Sequence, residues 1–490
     1  MNVNSPSRDR RPLLAVVLLL LSTAVLRAEV SLPKIIGDNL VLQRDCAVPI
    51  WGGAAPGEKV TVAFAGQEKS AVADASGRWA VKLDPLAASA EPREMTVAGA
   101  STIRLTNILV GEVWLCSGQS NMEYALGVAK KWAPAAAATD PVLAAEMKKP
   151  AWPQVRLFLV EKKLAAPEVV STGWHEASGA ARDEFSAVGG CFGLELQRRL
   201  GVPVGLIESS WGGSRIEEWT PREAYARLEA EFTGAAALSY ERDSAFVGRN
   251  YDAMVKPLAP YALRGVIWYQ GESNVLAYND GPRYEAKMRT WADSWRAAWQ
   301  RLGMPFYFVQ VAPFLYSPRK DKIAHSPQEL PLLWEAQAAA ARRPGMGVVA
   351  TIDLVPDVAN IHPPLKREVG LRLAGLALER TYGKPGPAWQ SPEFAGLEIR
   401  GNEAIVKFAH TGGRLMVRDG GEPAEFEIAG ADSAFVAAKA SIQGDTVVVS
   451  SPAVAVPCAV RFAWNEAARP NLTGANGLPV YPFRSNPPAK

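Results

Sequence analysis

Four short segments of this 490-residue sequence concentrate the side chains from which a hydrolase active site is built. They contain serine, glycine, glutamine, asparagine, aspartate and histidine, which can supply a nucleophile, a base and oxyanion donors. The segments are 117–123, 208–215, 270–274 and 353–362. Each follows an apolar run with the composition of a β-strand. The sequence therefore predicts acyl-transfer chemistry, provided that the fold brings the four segments together.

The general base has the fewest candidate residues, because the chain has only 4 histidines. His175, His325 and His410 lie in an expected insertion, a charged loop and a carboxy-terminal β region. His362 alone follows a predicted strand and precedes a predicted helix. A structural histidine beside a helix is the alternative interpretation, but the neighbouring polar strand ends favour a base.

Ser120 is the candidate nucleophile, because it lies where the first strand meets a helix predicted to begin near Met122. The free N–H groups and positive dipole end of a helix amino terminus favour a developing oxyanion. The alternative is that Ser120 is only the N-cap of that helix. The local sequence does not match G-x-S-x-G, so the nucleophile elbow of α/β-hydrolases is not supported.

Further candidates surround these two residues. Gly213, in a Gly-Gly pair, could direct a backbone N–H at an oxyanion, or it could belong to an ordinary turn. Gln270 and Asn274 could donate side-chain amides to the same oxygen. Glu272 either orients its neighbours or pairs with Arg215, and the sequence leaves both interpretations open.

Composition excludes several other classes of function. The sequence contains no HExxH, HxxxH, P-loop or G-x-G-x-x-G motif, so we predict neither a metal nor a nucleotide cofactor. The 4 cysteines are too few and too scattered for a disulfide scaffold, and Cys116 and Cys191 are predicted to be buried thiols. The formal net charge is +3, and residues 1–28 hold four arginines against one aspartate, so the remainder is close to neutral. We therefore expect neither nucleic acid nor a membrane as a partner of the mature chain.

The amino terminus predicts export. Arg8, Arg10 and Arg11 precede a short apolar run at 13–21, the pattern of a secretory signal peptide cleaved near Ala28. An uncleaved anchor is the alternative. Cleavage would leave an exported protein, periplasmic or extracellular.

The elements that must position the site residues alternate between strand and helix in the middle of the chain. Near-continuous apolar strands of this kind predict a parallel sheet that is covered by helices on both faces. The predicted strands are 108–116, 202–207, 264–269, 306–311 and 347–352. The predicted helices are 190–200, 284–301, 333–343 and 366–382.

Changes of composition divide the chain into predicted regions. We expect a signal peptide at 1–28, a β-sandwich-like domain at 29–105, an α/β catalytic domain at 106–385 and a β-rich domain at 386–490. The stretch 124–187 is rich in alanine, proline and tryptophan and interrupts the strand–helix rhythm. We interpret it as an insertion that borders the active site and contains one further strand, at 155–160.

The motifs at 111–123, 211–219, 268–274 and 361–363 resemble, in order and spacing, those of the SGNH hydrolases, and within them the sialate O-acetylesterase family of carbohydrate esterases. The resemblance implies a three-layer αβα, flavodoxin-like domain. It also implies that Ser120 is the nucleophile, that His362 is the base, and that the N–H groups of Ser120 and Gly213 with the Gln270 amide form the oxyanion hole. Asn274 lies near the position of the superfamily's block asparagine.

One position departs from this pattern. Many SGNH enzymes have an aspartate three residues before the histidine, where this chain has Ala359. The partner that orients His362 is then Asp357, Asp353 or the backbone carbonyl of Asn360. A carbonyl can fix the imidazole tautomer but stabilises the imidazolium less than a carboxylate does.

The predicted function is that of an exported serine esterase, which removes O-acetyl groups from carbohydrates through an acetyl-Ser120 intermediate and resembles a sialate 9-O-acetylesterase. Arg215, Glu272 and Asn274 are its candidate substrate-binding residues, and Arg215 could pair with a sugar carboxylate. One alternative is the same chemistry on acetylxylan or another acetylated polysaccharide. A second alternative, of a different class, is a carbohydrate-binding protein without catalysis. The sequence does not predict the oligomeric state.

Overall fold

The computed structural model of the chain describes residues 1–2, 29–129, 145, 147–164, 168–232, 245–278, 280–319, 323–384, 386 and 388–485. The segment on which the predicted signal peptide depends, 3–28, lies outside the described residues. Part of the predicted insertion, 130–144, lies outside them as well. Within the described ranges, none of the helices combines the length and the apolar character that crossing a membrane requires.

Short β-strands form the amino-terminal region. They are β1 (Val41–Gln43), β2 (Val48–Gly53), β3 (Lys59–Phe64), β4 (Gln67–Val72), β5 (Arg78–Leu83) and β6 (Ser89–Ala98). β2 pairs with β5, and β3 pairs with both β4 and β6. Buried Trp79, Val81 and Leu83 alternate with exposed residues along β5, as expected for a sheet with one face against a core.

The long strand β7 (Thr102–Gly118) joins this region to the central sheet. Its first half pairs with β6 and β1, and its second half pairs in parallel with two central strands. The other central strands are β8 (Ala151–Leu159), β9 (Trp174–Ser178), β10 (Val204–Ser210), β11 (Gly265–Tyr269), β12 (Phe306–Val309) and β13 (Met346–Val349). β7 thus runs across the predicted boundary at residue 105. The sequence does not reveal this, because the strand continues while only its partners change.

The central strands lie in the order β13-β12-β11-β7-β10-β8-β9, and all are parallel except β9, which is antiparallel to β8. The stretch β10-β7-β11-β12-β13 has the flavodoxin-like order, which reverses direction at β7. Ligands bind to such sheets outside the carboxyl ends of the strands at this switch point. β8 and β9 lie in the predicted insertion, and they extend the sheet beside β10.

Helices cover both faces of the sheet. They are α1 (Ser120–Glu123), α2 (Leu126–Ala129), α3 (Gly179–Glu184), α4 (Ala187–Leu200), α5 (Arg222–Glu231), α6 (Glu272–Tyr278), α7 (Gly281–Ala298), α8 (Glu329–Ala341) and α9 (Lys366–Arg380). Shorter helical turns are Ile216–Trp219, Tyr251–Val255 and Lys256–Leu258. Trp114 and Cys116 of β7 pack in one hydrophobic cluster with α4 and α9, whereas Val113 and Leu115 pack in a second cluster with α7 and α8. This alternation confirms the three-layer αβα fold.

The carboxy-terminal region consists of β-strands. They are β14 (Glu393–Arg400), β15 (Glu403–Ala409), β16 (Leu415–Val417), β17 (Phe426–Ala429), β18 (Val436–Ala437), β19 (Lys439–Gln443), β20 (Thr446–Ser450), β21 (Ala459–Phe462), β22 (Leu472–Gly474) and β23 (Phe483–Arg484). β14 and β15 form an antiparallel hairpin through Gly401. Glu466 accepts hydrogen bonds from the backbone N–H groups of Tyr316 and Ser317, so the region is joined to the loop that follows β12.

Candidate active site

Ser120 and His362 are 242 residues apart in sequence and meet at the carboxyl edge of the sheet. The Oγ atom of Ser120 lies 2.8 Å from Nε2 of His362, which is within hydrogen-bonding distance. Ser120 is the first residue of α1, and Gln119 occupies the N-cap position. The interpretation of Ser120 as the N-cap is therefore wrong, because Gln119 occupies that position, and the Ser120 hydroxyl instead contacts the imidazole. This is the geometry of a nucleophile beside a base.

The turn between β7 and α1 has little freedom. Gly118 has a φ of +140°, and a Cβ atom at this position would collide with the carbonyl oxygen of Tyr269 on β11. The Gln119 N–H donates to the same carbonyl at 3.0 Å. The Gln119 side-chain oxygen accepts hydrogen bonds from the N–H groups of Gly271 and Ser273, at 3.3 Å and 3.2 Å. The turns after β7 and β11 are thus joined, and Ser120 is held at the switch point.

The carboxylates of Asp357 and Asp353 are engaged elsewhere. The Asp357 carboxylate is exposed and accepts the Ala359 N–H at 2.9 Å. The side-chain oxygen of Asn360 accepts the backbone N–H of His362 at 2.9 Å, which shapes the loop without contacting the imidazole. Asp353 forms a bidentate ion pair with Arg372, whose two terminal nitrogens lie 2.7 Å and 2.6 Å from the carboxylate oxygens.

The electrostatic surroundings of His362 favour a neutral imidazole. Burial lowers the pKa of His362, and the nearby ammonium of Lys366 lowers it further. The Glu123 carboxylate acts in the opposite direction on the same pKa. A base must be unprotonated to accept a proton, so these surroundings suit His362 to that role.

A cavity of about 340 Å³ opens beside Ser120. It is lined by Ser120, Glu123, Tyr124, Lys162, Trp211 and Gly212. The Gly212 N–H donates to Oε2 of Glu123 at 2.6 Å, and the Lys162 ammonium lies 2.5 Å from the other carboxylate oxygen. Gly213 follows with a φ of +77°, which favours glycine. This is the space in which an acyl group can approach the hydroxyl.

Glu123 and Lys162 were not predicted as site residues, although the sequence contains signals for both. Glu123 lies three residues after Ser120, the spacing that puts two side chains on the same face of a helix. Lys162 follows β8, at the carboxyl edge that was used to find the other candidates. It was overlooked because β8 was assigned to an insertion and not to the sheet.

Gln270 is fully buried at the end of β11. Its amide nitrogen lies 2.7 Å from Oδ1 of Asn274, 3.2 Å from Oε1 of Gln119 and 3.2 Å from the carbonyl oxygen of Ser214. Its amide oxygen accepts the Tyr284 hydroxyl at 2.5 Å. In this arrangement Gln270 joins the turns that follow β7, β10 and β11.

The three predicted substrate-binding residues lie away from the cavity lining or have unexpected partners. Asn274 is buried, and its amide donates to Glu217 and Asp280, each at 3.0 Å. Glu272 is also buried and accepts a hydrogen bond from the side-chain amide of Asn121. Arg215 lies 3.8 Å from the carboxylate of Glu218, a neighbour that was not predicted.

No group of three or more histidine, cysteine, aspartate or glutamate side chains in the described ranges is arranged to hold a metal ion. Cys116 and Cys191 are buried free thiols, as predicted. Burial raises the pKa of both thiols, so they are unreactive at neutral pH.

A family model described as carbohydrate esterase, sialic acid-specific acetylesterase matches residues 110–379. This span is more than half of the chain and contains both Ser120 and His362. The chain belongs to this family. As a member of the family it is a carboxylic ester hydrolase, which confirms the class of enzyme predicted from the motifs.

Relatives of this esterase cover most of its length. Human sialate O-acetylesterase is 27% identical over 415 residues, which are 76% of this chain and 75% of the human protein. The mouse sialate O-acetylesterase is 26% identical over 463 residues, with 81% and 82% covered. Among solved structures, a carbohydrate acetylesterase from Xanthomonas citri is 34% identical and superposes with a TM-score of 0.81, over 94% of this chain and all of that one.

Proposed function

We propose that the chain is an exported carbohydrate O-acetylesterase that acts through an acetyl-Ser120 intermediate with His362 as the general base. The observation that carries this proposal is the 2.8 Å contact between Ser120 Oγ and His362 Nε2 at the switch point of the sheet. Membership of the carbohydrate esterase family supports it.

The first half of the reaction forms the acetyl-enzyme. His362 takes the proton from the Ser120 hydroxyl while the oxygen attacks the acetyl carbonyl carbon. The tetrahedral intermediate then collapses, the bond to the sugar oxygen breaks, and the imidazolium of His362 returns the proton to that oxygen. In the second half, water replaces the sugar, and the same proton transfers release acetate and regenerate the hydroxyl.

Backbone N–H groups at the start of α1 and at Gly213 are the proposed donors to the oxyanion. Gln270 contributes by holding the turns after β7, β10 and β11 together, since its amide is engaged with protein oxygens. Losing one oxyanion donor typically lowers kcat by about 10²–10³-fold. Displacing Gly213 is therefore expected to harm catalysis more than it harms binding.

The proposed substrate is an O-acetylated sialic acid. The mammalian relatives are named sialate O-acetylesterases, and a sialic acid carries a carboxylate that requires a cationic partner. Lys162 lines the cavity beside Ser120 and is the cation best placed to attract that carboxylate. An acetylated neutral polysaccharide is a second candidate, because the 2.5 Å contact between Lys162 and Glu123 already balances the lysine charge.

Acetate release from O-acetylated sialic acid and from acetylxylan tests the choice of substrate. We expect the higher kcat/KM on the sialic acid, and replacement of Lys162 by methionine should reduce the preference. A higher kcat/KM on acetylxylan, unaffected by Lys162→Met, would support the neutral polysaccharide.

Covalent labelling tests whether the site is catalytic. A fluorophosphonate should modify Ser120, and peptide mass spectrometry would identify the labelled residue. An unlabelled Ser120 in folded protein would favour the carbohydrate-binding alternative. Export is tested separately, by sequencing the amino terminus of protein recovered from outside the cytoplasm.

A further inference from the structure

Three buried polar side chains that the proposed mechanism does not use lie directly behind Ser120 and His362. They are Asn121, Glu272 and Lys366, and each exposes 1% or less of its surface. Asn121 follows the nucleophile in sequence, Glu272 begins α6 after β11, and Lys366 begins α9 after the His362 loop. A buried lysine costs free energy unless something is gained from its position, so this arrangement calls for a function.

The amide of Asn121 lies between the two charged groups. Its oxygen accepts a hydrogen bond from the Lys366 ammonium at 2.6 Å, and its nitrogen donates to Oε1 of Glu272. The same nitrogen lies 3.0 Å from the carbonyl oxygen of Ile361. The ammonium also donates to the carbonyl oxygen of Pro363, at 2.5 Å.

These contacts hold both sides of the reacting pair. Ile361 and Pro363 are the residues on either side of His362, and Asn121 is the neighbour of Ser120. Lys366 and Asn121 therefore fix the histidine loop to the helix that carries the nucleophile. The restraint acts on the backbone of the histidine loop, as does the hydrogen bond from the His362 N–H to the Asn360 side chain.

We propose that Lys366 is a positioning residue for Ser120 and His362: through Asn121 and Pro363 it fixes the histidine loop so that the imidazole lies beside the serine hydroxyl. This inference rests on the proposed function, since it assigns Lys366 a part in the same reaction.

Opposing effects set the charge of Lys366. Burial lowers the pKa of Lys366 to about 7, while Glu272 acts to raise it, so a substantial fraction of the lysine is charged at neutral pH. The ammonium lies 5.0 Å from the ring centre of Tyr124 and 5.5 Å from that of Tyr269, where aromatic faces stabilise a cation. Around His362 itself the other facing groups are Ser120, Tyr124 and Glu123, and Glu123 is paired with Lys162.

Replacing Lys366 by methionine keeps most of the side-chain volume and removes the charge and both hydrogen bonds. We expect kcat for p-nitrophenyl acetate to fall about 10²-fold, as for a comparable misplacement of reacting groups, with little change in KM. We also expect the acidic limb of the kcat/KM profile to move to higher pH, because the imidazole loses a repelling positive charge.

Arg380→Met is the matched control. Arg380 ends the same helix and donates to the Met346 carbonyl and the Gln390 side chain, each at 2.8 Å, far along α9 from the histidine loop. The substitution should lower the melting temperature without moving the acidic limb. If Lys366→Met retains the parent kcat and acidic limb, or if Arg380→Met shifts the limb equally, Lys366 has only a structural role.

The outcomes separate this inference from the function on which it rests. If Ser120→Ala retains the parent activity, the proposed mechanism fails and the inference fails with it. If Ser120→Ala is inactive while Lys366→Met keeps the parent profile, only the inference is overturned. Should Lys366→Met not fold, Asn121→Ala removes the oxygen that accepts the ammonium; a lower kcat in that variant supports the proposal, and an unchanged kcat overturns it.

Discussion

Two buried carboxylates at opposite ends of the central strands are paired very differently. Glu112 lies near the amino ends of the strands, where its oxygens accept from Arg44 at 2.5 Å, from Gln43 at 3.0 Å and from Arg264 at 2.7 Å and 3.2 Å. Glu272 lies near the carboxyl ends, and its contact with the Lys366 charge is made through the Asn121 amide. Both side chains are almost completely buried.

The difference appears in the protonation of the two groups. Burial acts to raise the pKa of Glu112, but the hydrogen bonds and charges of Arg264 and Arg44 outweigh it, so the net shift is downward. For Glu272 burial prevails, and the pKa is raised. Strong pairing at the junction of the sheets holds the fold in one charge state. The weaker pairing behind Ser120 leaves Lys366 with a pKa of about 7. A change in the charge of Lys366 near neutral pH can therefore alter the pKa of His362.

The largest expected effect is a loss of activity without a loss of stability at the active site. Ser120→Ala removes the proposed nucleophile, and we expect kcat/KM for p-nitrophenyl acetate to fall by about 10⁴-fold or more, because the acyl intermediate would form on this hydroxyl. The melting temperature should stay close to that of the parent. Turnover within tenfold of the parent would remove Ser120 from the mechanism.

At the amino ends of the strands we expect the reverse, a loss of stability without a loss of activity. Glu112→Gln leaves Arg44 and Arg264 without their carboxylate and should lower the free energy of unfolding by about 3 kcal/mol at pH 7, measured by urea denaturation. Because the pKa of Glu112 is lowered by folding, its stabilisation is present above the unfolded pKa of about 4.3 and is lost as the pH falls through the folded value. The deficit of the variant should therefore shrink under acidic conditions, while kcat at pH 7 stays unchanged. A deficit that grows in acid would contradict the assigned pairing.

Glu272→Gln is the matched variant and should cost less. Glutamine can still accept the Asn121 hydrogen bond, so we expect a loss of about 1 kcal/mol or less at pH 7. The pKa of Glu272 is raised by folding, so the carboxylate becomes a disadvantage as the pH rises above the unfolded value. Urea denaturation from pH 5 to pH 9 should show the variant gaining stability relative to the parent. Equal losses of unfolding free energy for Glu112→Gln and Glu272→Gln would contradict the proposed difference between the two ends of the central strands.

A further effect is expected on the pH dependence of stability at Glu208. Burial raises the pKa of this carboxyl to about 8, although it accepts hydrogen bonds from the Ser186 N–H at 2.6 Å and the Ser210 hydroxyl at 2.8 Å. Between the unfolded pKa of about 4.3 and the folded value near 8, the folded state binds the extra proton, so stability falls as the pH rises. Glu208→Gln should flatten this slope in thermal denaturation. An unaltered slope would show that Glu208 is ionised throughout.

The sequence predicted the parts of the site that depend on the carboxyl ends of strands. Ser120, Gly213, Gln270 and His362 all follow apolar strands, and parallel pairing brings such ends to one edge. Their spatial proximity could therefore be argued without coordinates. Their roles in catalysis remain proposals.

What the sequence did not reveal depends on side-chain geometry across distant elements. Lys366 belongs to a predicted helix and looks like any surface lysine of an amphipathic segment, until the fold buries it against Asn121. Gln270 and Asn274 carry amides that suit an oxyanion hole, and only coordinates show those amides engaged with protein oxygens. The sequence shows that a side-chain amide is present, but it does not show whether that amide faces a substrate or a neighbouring carbonyl.

The 17-residue strand β7 has a practical consequence for protein engineering. A truncated enzyme that starts at residue 106 would cut the strand that ends at Gly118, and it would also delete β1 and β6, which flank the strand's first half. The shortened product would present a bare strand edge, which promotes aggregation. Minimal versions of this esterase should therefore retain residues 29–105, even though the lining of the cavity beside Ser120 comes from later in the chain.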